Sequence, residues 1–294
     1  EARVCMDYET LAALNPRLIY AAVSALGTEG PEASSPGYDI VVQSRVGMLS
    51  QHRDAHGVPL PSKVMSLDMS GSMGLSYAIM VALWERERTG LGQRIDMSLF
   101  QVGLMMLMPQ MVSVENPESR KLAQPSGAVL SCCQCSDGQW VLIVINEDHQ
   151  FRALCRVLDL EHLANDPRLA TFDKRIELTG ELREIMEAVI IDRPSDEWLD
   201  LLRAAGVPSS IVAEPDAVSN DPQAIANKMF LTQDHPAVGR VKMVAPPFHL
   251  SNSRDETRLC RPAPKLGQHT AEILREFGYD DVTIAGYLER EIVK

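Results

Sequence analysis

Asp68 is the residue whose surroundings most invite chemistry. It opens the stretch Asp68–Arg94, which reads DMSGSMGLSYAIMVALWERERTGLGQR. An acid followed by small residues and then a long apolar run predicts a helix. Two roles are open to a carboxylate placed there. Together with Ser70 and Ser72 it can cap the orphan amides of the first turn. It can also act as a nucleophile, because the helix dipole keeps it ionised and an ionised carboxylate can attack an activated acyl carbon. Gly71 and Gly74 leave room for a ligand to approach.

The rest of that stretch must hold Asp68 in place. Met73, Leu75, Ala78, Ile79, Val81 and Ala82 make the helix almost wholly apolar, which predicts burial. Arg86 and Arg88 suit its negative end, and Gly90 supplies a left-handed stop. Arg94–Leu99 then alternates as a strand. Upstream, residues 7–17 predict a short helix stopped at Asn15-Pro16. Leu18–Val23 is a continuous apolar run, as expected of a parallel strand buried on both faces. It empties into Ser24–Pro31 (SALGTEGP), either a plain turn or the kind of loop where open α/β sheets bind ligands. Ser35-Pro36-Gly37-Tyr38-Asp39 follows, then a helix carrying Gln43 and Gly47. Gln51–Pro61 is a polar loop containing His52 and His56, which read as solvated. Phe100–Val114 predicts a Met-rich core helix broken at Pro109.

Glu115–Gly127 is polar, carries two prolines and reads as a linker. A second domain is expected near Val129. Asp137-Gly138 signals a hairpin turn before the strand Gln139–Ile145. Asn146 is expected to cap a helix over Glu147–Leu158. Residues 174–190 predict one amphipathic helix, and Ser195 the cap of another, Asp196–Ala205, stopping at Gly206. Asn220-Asp221-Pro222 starts a short helix, Gly239 sits in a hairpin between His235 and Val244, and helices over 270–277 and 280–292 close the chain.

With 294 residues the chain can hold one large domain or two smaller ones. Its formal net charge of −12 argues against a nucleic-acid partner, whose footprint would be basic. Cys5, Cys132, Cys133, Cys135, Cys155 and Cys260 lack zinc-finger spacing and read as reduced thiols. No apolar run reaches membrane-spanning length and no signal peptide is visible, so a cytoplasmic protein is expected.

The run Ala82–Gln93 (ALWERERTGLGQ) resembles the "ALxxRExTGxGQ" motif of the family III CoA-transferases, the CaiB/BaiF group that includes formyl-CoA:oxalate CoA-transferases. Asp68 stands at that family's nucleophile position. The SxxGxxGP loop, the PGYD segment and PAPKLG at Pro262–Gly267, with His269 after it as a cap, match further family motifs. The resemblance implies an α/β fold: a Rossmann-like parallel-sheet large domain over 1–127, an inserted α+β small domain over 128–225, and a return segment over 226–294. A further portion upstream of Glu1 is implied, as is an interlaced homodimer. The activity implied is CoA transfer between an acyl-CoA and a carboxylic acid, through an anhydride and a thioester on Asp68. Arg3, Ser35, Pro36, Gly37 and Tyr38 are the implied CoA contacts, with CoA a substrate and no metal or redox cofactor. The related α-methylacyl-CoA racemases carry His where this chain has Tyr38, which favours acyl transfer over racemisation. A non-catalytic CoA-binding subunit is the remaining alternative. No polyglycine loop of the kind some members close over the nucleophile stands in Gly127–Gly138.

Overall fold

The computed structural model describes residues 6–111, 129–252 and 262–294. The linker expected at Glu115–Gly127 and the candidate CoA contact Arg3 lie outside them. The chain divides into two compact units, Glu1–Gln124 and Pro125–Lys294.

In the first unit, Asp7 accepts the Thr10 amide at 2.9 Å and starts helix α1, Tyr8–Leu14. Strand β1, Ile19–Ser24, pairs in parallel with β2, Gln93–Ser98, from Ile19 opposite Gln93 to Ser24 opposite Ser98. Between them run α2, Asp39–Arg45, and the long α3, Ser66–Thr89. Helices α4, Leu99–Met106, and α5, Met108–Met111, follow β2; the break falls at Leu107, and Pro109 sits inside α5. The core is built from helices more than from the sheet: Val42, Val46, Leu67, Leu99, Val102 and Leu107 close on one another. Two expectations need correction. Strand β1 is only half-buried, with Val23 facing solvent. Helix α3 is not buried either. Its apolar residues run round the cylinder, and only Leu67, Gly71 and Ala82 are sealed. Met69, Met73, Tyr77, Met80 and Trp84, spaced as one helical face, lie exposed, Tyr77 by 74% and Trp84 by 69%.

The second unit contains an antiparallel sheet in the order β3-β4-β5, formed by Val129–Gln134, Trp140–Ile145 and Ser209–Ile211. Gly138, at φ +79°, turns the β3–β4 hairpin. Helices α6, Asp148–Val157; α7, Glu161–Ala164; α8, Phe172–Glu177; α9, Thr179–Ile190; and α10, Ser195–Ala204, follow β4. The core joins Val141, Ile143 and Ile145 to Phe151, Leu154, Met186, Trp198 and Leu202. The cap of α6 is Glu147 rather than Asn146, in a reciprocal box with Gln150. The single helix expected over 174–190 is two, divided at Leu178. Ser195 is the first residue of α10 rather than its cap. Its amide and hydroxyl donate to Asp137 Oδ2 at 2.9 and 2.7 Å, tying the hairpin turn to the helix and holding the Asp137 carboxyl below its ordinary range. Helix α11, Pro222–Ala226, the antiparallel pair β6, Phe230–His235, and β7, Gly239–Val244, and helices α12, Thr270–Glu276, and α13, Asp281–Glu289, complete the unit.

The four described cysteines are free thiols. Burial pushes Cys133 up to about 12 and Cys155 up to about 11. Folding therefore favours their protonated forms. That contribution is complete below the pKa of an unfolded thiol, about 8.5, and is lost as pH rises from there through the folded values. Iodoacetamide at pH 8 should label exposed Cys132 and spare Cys133, Cys135 and Cys155, as read by peptide mass mapping. Urea resistance of the second unit should fall between pH 8 and pH 10. A second test concerns Gly92. A Cβ there would lie 1.9 Å from the Leu18 carbonyl oxygen, which is backbone and cannot turn aside. Gly92→Ala should destabilise the first unit by about 3 kcal/mol, the upper end of the overpacking range, in urea unfolding.

Candidate active site

The first turn of α3 can be accounted for amide by amide. A helix start leaves four N–H groups without intrahelical partners. The Ser66 amide donates to the Val64 carbonyl at 2.9 Å, and the Met69 amide makes the first regular helical bond, to the Met65 carbonyl at 3.1 Å. The Leu67 and Asp68 amides both donate to Asp39 Oδ2, at 2.7 and 2.8 Å. The cap is thus a buried carboxylate from α2, 28 and 29 residues earlier in the chain.

This corrects the expectation that Asp68, Ser70 and Ser72 cap the helix. Asp68 is the third helical residue rather than the opening one. Ser72 donates its hydroxyl back to the Asp68 carbonyl at 2.8 Å. Among the described residues nothing bonds the Asp68 carboxylate, which stands in solvent. A Cβ on Gly71 would meet Met97 and Leu99 at 3.4 Å, and one on Gly74 would meet Met97 at 3.7 Å. Both glycines therefore face β2, and Gly71 also faces α4, at ordinary contact distances.

Asp39 brings the PGYD segment to Asp68. Its other oxygen accepts a hydrogen bond from Gln43 Nε2, which also donates to the Val64 carbonyl at 3.0 Å. Tyr38 immediately precedes it, and the Tyr38 carbonyl accepts the Val41 and Val42 amides at 3.0 and 3.1 Å. The Tyr38 side chain is exposed, as are Ser35 and Pro36. Gly37 is fixed by packing: an added Cβ would sit 2.5 Å from Ala25 Cβ. Gly37 thus packs its backbone directly on Ala25, in the loop that follows β1. The Ser24 hydroxyl there accepts the Gly27 amide at 3.1 Å. The PGYD segment is therefore tied to the Asp68 backbone through Asp39, the residue that follows Tyr38. Asp39 itself escaped nomination, because a cap reaching across 28 residues leaves no local pattern.

Two cavities border this region. One, of about 120 Å³, is lined in part by Gln43, Gln51, His52 and Ser62. The other, of about 260 Å³, opens at the C-terminal ends of β1 and β2 and is lined in part by Ser24, Gly27, Thr28, Asp96 and Gln101. That is where parallel sheets bind ligands. Among the described residues no group of three or more His, Cys, Asp or Glu side chains could hold a metal.

The far end of α3 is structural. Gly90 caps it at φ +76°. The Thr89 hydroxyl donates to the Glu85 carbonyl at 3.0 Å and accepts the Leu91 amide at 3.2 Å. Gln93 Nε2 reaches Glu85 at 2.8 Å, and the Gly92 amide donates to the Pro16 carbonyl at 2.8 Å. ALWERERTGLGQ thus stops the helix and delivers the chain into β2.

Comparison with known proteins places the chain in a family. Residues 1–270 match the model of CoA-transferase family III. An acyl-CoA transferase of Fusarium pseudograminearum is 33% identical over 99% of this chain, which spans 64% of that protein's length. An acetyl-CoA:oxalate CoA-transferase of Acetobacter aceti is 34% identical, covering 94% of this chain and 70% of its own length. A CaiB/BaiF family protein from Brucella suis, 30% identical, superposes with a TM-score of 0.73 over 94% of this chain and 72% of its own. Rv3272 from M. tuberculosis, 24% identical, shares the fold at a TM-score of 0.79, over 92% of this chain and 72% of its own. The mixed α/β chain with its small parallel sheet belongs to CoA-transferase family III.

Proposed function

We propose that this chain carries the nucleophile of a CoA-transferase acting between an acyl-CoA and a free carboxylic acid, and that Asp68 is that nucleophile. The observation that carries the reading is the division of labour at the start of α3. Asp39 satisfies the amides, so the Asp68 carboxylate is left with its lone pairs unengaged and open to solvent. Asp68 attacks the thioester carbonyl, the C–S bond breaks, and a mixed anhydride forms as CoA thiolate leaves. The thiolate attacks the aspartyl carbonyl, releasing the donor acid and leaving an aspartyl-CoA thioester. The acceptor carboxylate attacks that thioester, expelling CoA thiolate and forming a second mixed anhydride; the thiolate then attacks the acceptor carbonyl of that anhydride, giving the new acyl-CoA and freeing the Asp68 carboxylate. Ser35, Pro36, Gly37 and Tyr38 line the CoA approach in this reading, and Arg3 contributes a guanidinium to a phosphate.

The 1,1-proton transfer of a racemase is less well supported, because Tyr38 stands at the position where an imidazole would be needed. The larger layout follows the family: a Rossmann-like large domain over 1–127, a small domain over 128–225 and a return segment over 226–294. The exposed apolar face of α3 supports a homodimer.

Relatives named for acetyl-CoA with oxalate and for succinyl-CoA with glutarate supply the first donor–acceptor pairs to test. With a competent donor, intact-mass analysis should show an adduct that hydroxylamine releases, located at Asp68 by peptide mapping. Asp68→Ala should abolish the adduct and lower transfer at least about a thousandfold, equivalent to about 4 kcal/mol of transition-state stabilisation. Transfer by Asp68→Ala at the unsubstituted rate would eliminate the mechanism.

A further inference from the structure

We infer that Asp39 is a positioning residue for Asp68, setting the direction of the nucleophile without touching substrate. The inference rests on the reading of Asp68 as the nucleophile. Asp39 is 5% exposed, so its carboxylate is committed to the protein interior. One oxygen holds the Leu67 and Asp68 amides, at 2.7 and 2.8 Å. The other is held by Gln43, whose own position is fixed by the Val64 carbonyl at the entry to α3. The backbone atom bonded to the Asp68 Cα is thus anchored directly, and the turn behind it indirectly. Anchoring that amide fixes the Cα–Cβ vector and so the base from which the Asp68 carboxylate swings. An error of about 1 Å in a reacting group can cost on the order of a hundredfold in rate.

The alternative cap, an ordinary Ser or Asp immediately before the helix, would fix the same amides locally. Asp39 instead ties them to the segment that carries Tyr38 and to Gly37, which is packed on Ala25 beside the loop after β1. Motion of that segment is therefore passed to Asp68 through a bond to its own amide.

The test uses Asp39→Asn and Asp39→Ala in the complete chain, with acetyl-CoA or succinyl-CoA as the donor. Three quantities are read: the rate of adduct formation at Asp68, the stoichiometry and affinity of CoA binding by calorimetry, and hydrogen exchange at the Leu67 and Asp68 amides. Rates are normalised to the sites that bind CoA, which removes any loss from misfolding. Asp39→Ala should slow acylation about a hundredfold, change CoA affinity less than about threefold, and accelerate exchange at both amides. Asp39→Asn keeps one oxygen for both amides and should recover most of the rate, since Asn caps about as well as Asp. If Asp39→Ala does not fold, Asp39→Gly, which also removes the acceptor, is measured with Asp39→Asn. Acylation in Asp39→Ala or Asp39→Gly at the unsubstituted rate, with faster amide exchange, overturns the positioning role and leaves Asp68 as the nucleophile. An equal loss of affinity and rate overturns it in favour of a binding role. Absence of any adduct in the unsubstituted protein removes Asp68 itself, which is a distinguishable failure.

Discussion

The bond between the Asp39 carboxylate and the first turn of α3 is the constraint on which the first unit depends. Orphan amides at a buried helix start must find acceptors, and leaving one unmet costs about 1–3 kcal/mol. Here the acceptor is charged and comes from another helix, so satisfying the amides also fixes where α2 lies against α3. The core residues Val42, Val46 and Leu67 close around that junction. Gln43 extends it, although its Oε1 is buried and meets no acceptor-seeking group among the described residues. The site and the core of this unit are therefore one assembly. A substitution at the junction changes packing and chemistry together.

The two ends of α3 do different work, and both are set by backbone groups. At the start, anchored amides leave a carboxylate exposed. At the end, Gly90 reverses the chain, and Gly92 passes so close to Leu18 that no larger residue fits. Because β1 and β2 are paired in register from Ile19–Gln93 to Ser24–Ser98, the position of the TGLGQ turn also decides where the loops after both strands fall. The motif most easily read from the sequence is thus far from the chemistry along the helix, yet it sets the frame in which that chemistry sits.

Local signals made much of this legible. The stop at Asn15-Pro16, the Leu18–Val23 block, Asp137-Gly138 and Asp221-Pro222 each correspond to an element boundary or element within a residue or two, because stops and turns are short-range chemistry. What failed was long-range. Nothing near Asp68 reveals that its amide is capped by Asp39, and nothing near Ser195 reveals that it is held by Asp137. Composition also misled at α3. An all-apolar helix reads as buried on every side, but this unit supplies neighbours for one side, leaving Met69, Met73, Tyr77, Met80 and Trp84 outward. Among the proposed CoA contacts, the residue types at Ser35, Pro36 and Tyr38 carry no local constraint, and only the family pattern singled them out.

The proposed role of Asp68 as a nucleophile also draws on remote capping. An acid that caps its own helix points back at the amides and shares its lone pairs with them. Such a carboxylate is well stabilised and correspondingly poor at attacking carbon. By giving the amides to a buried partner, the fold separates holding the helix from doing chemistry. In the proposed mechanism this leaves the exposed carboxylate less satisfied by the protein and so more available to an acyl carbon. In that reading the buried acid at position 39 serves the carboxylate at position 68 through the amides of Leu67 and Asp68.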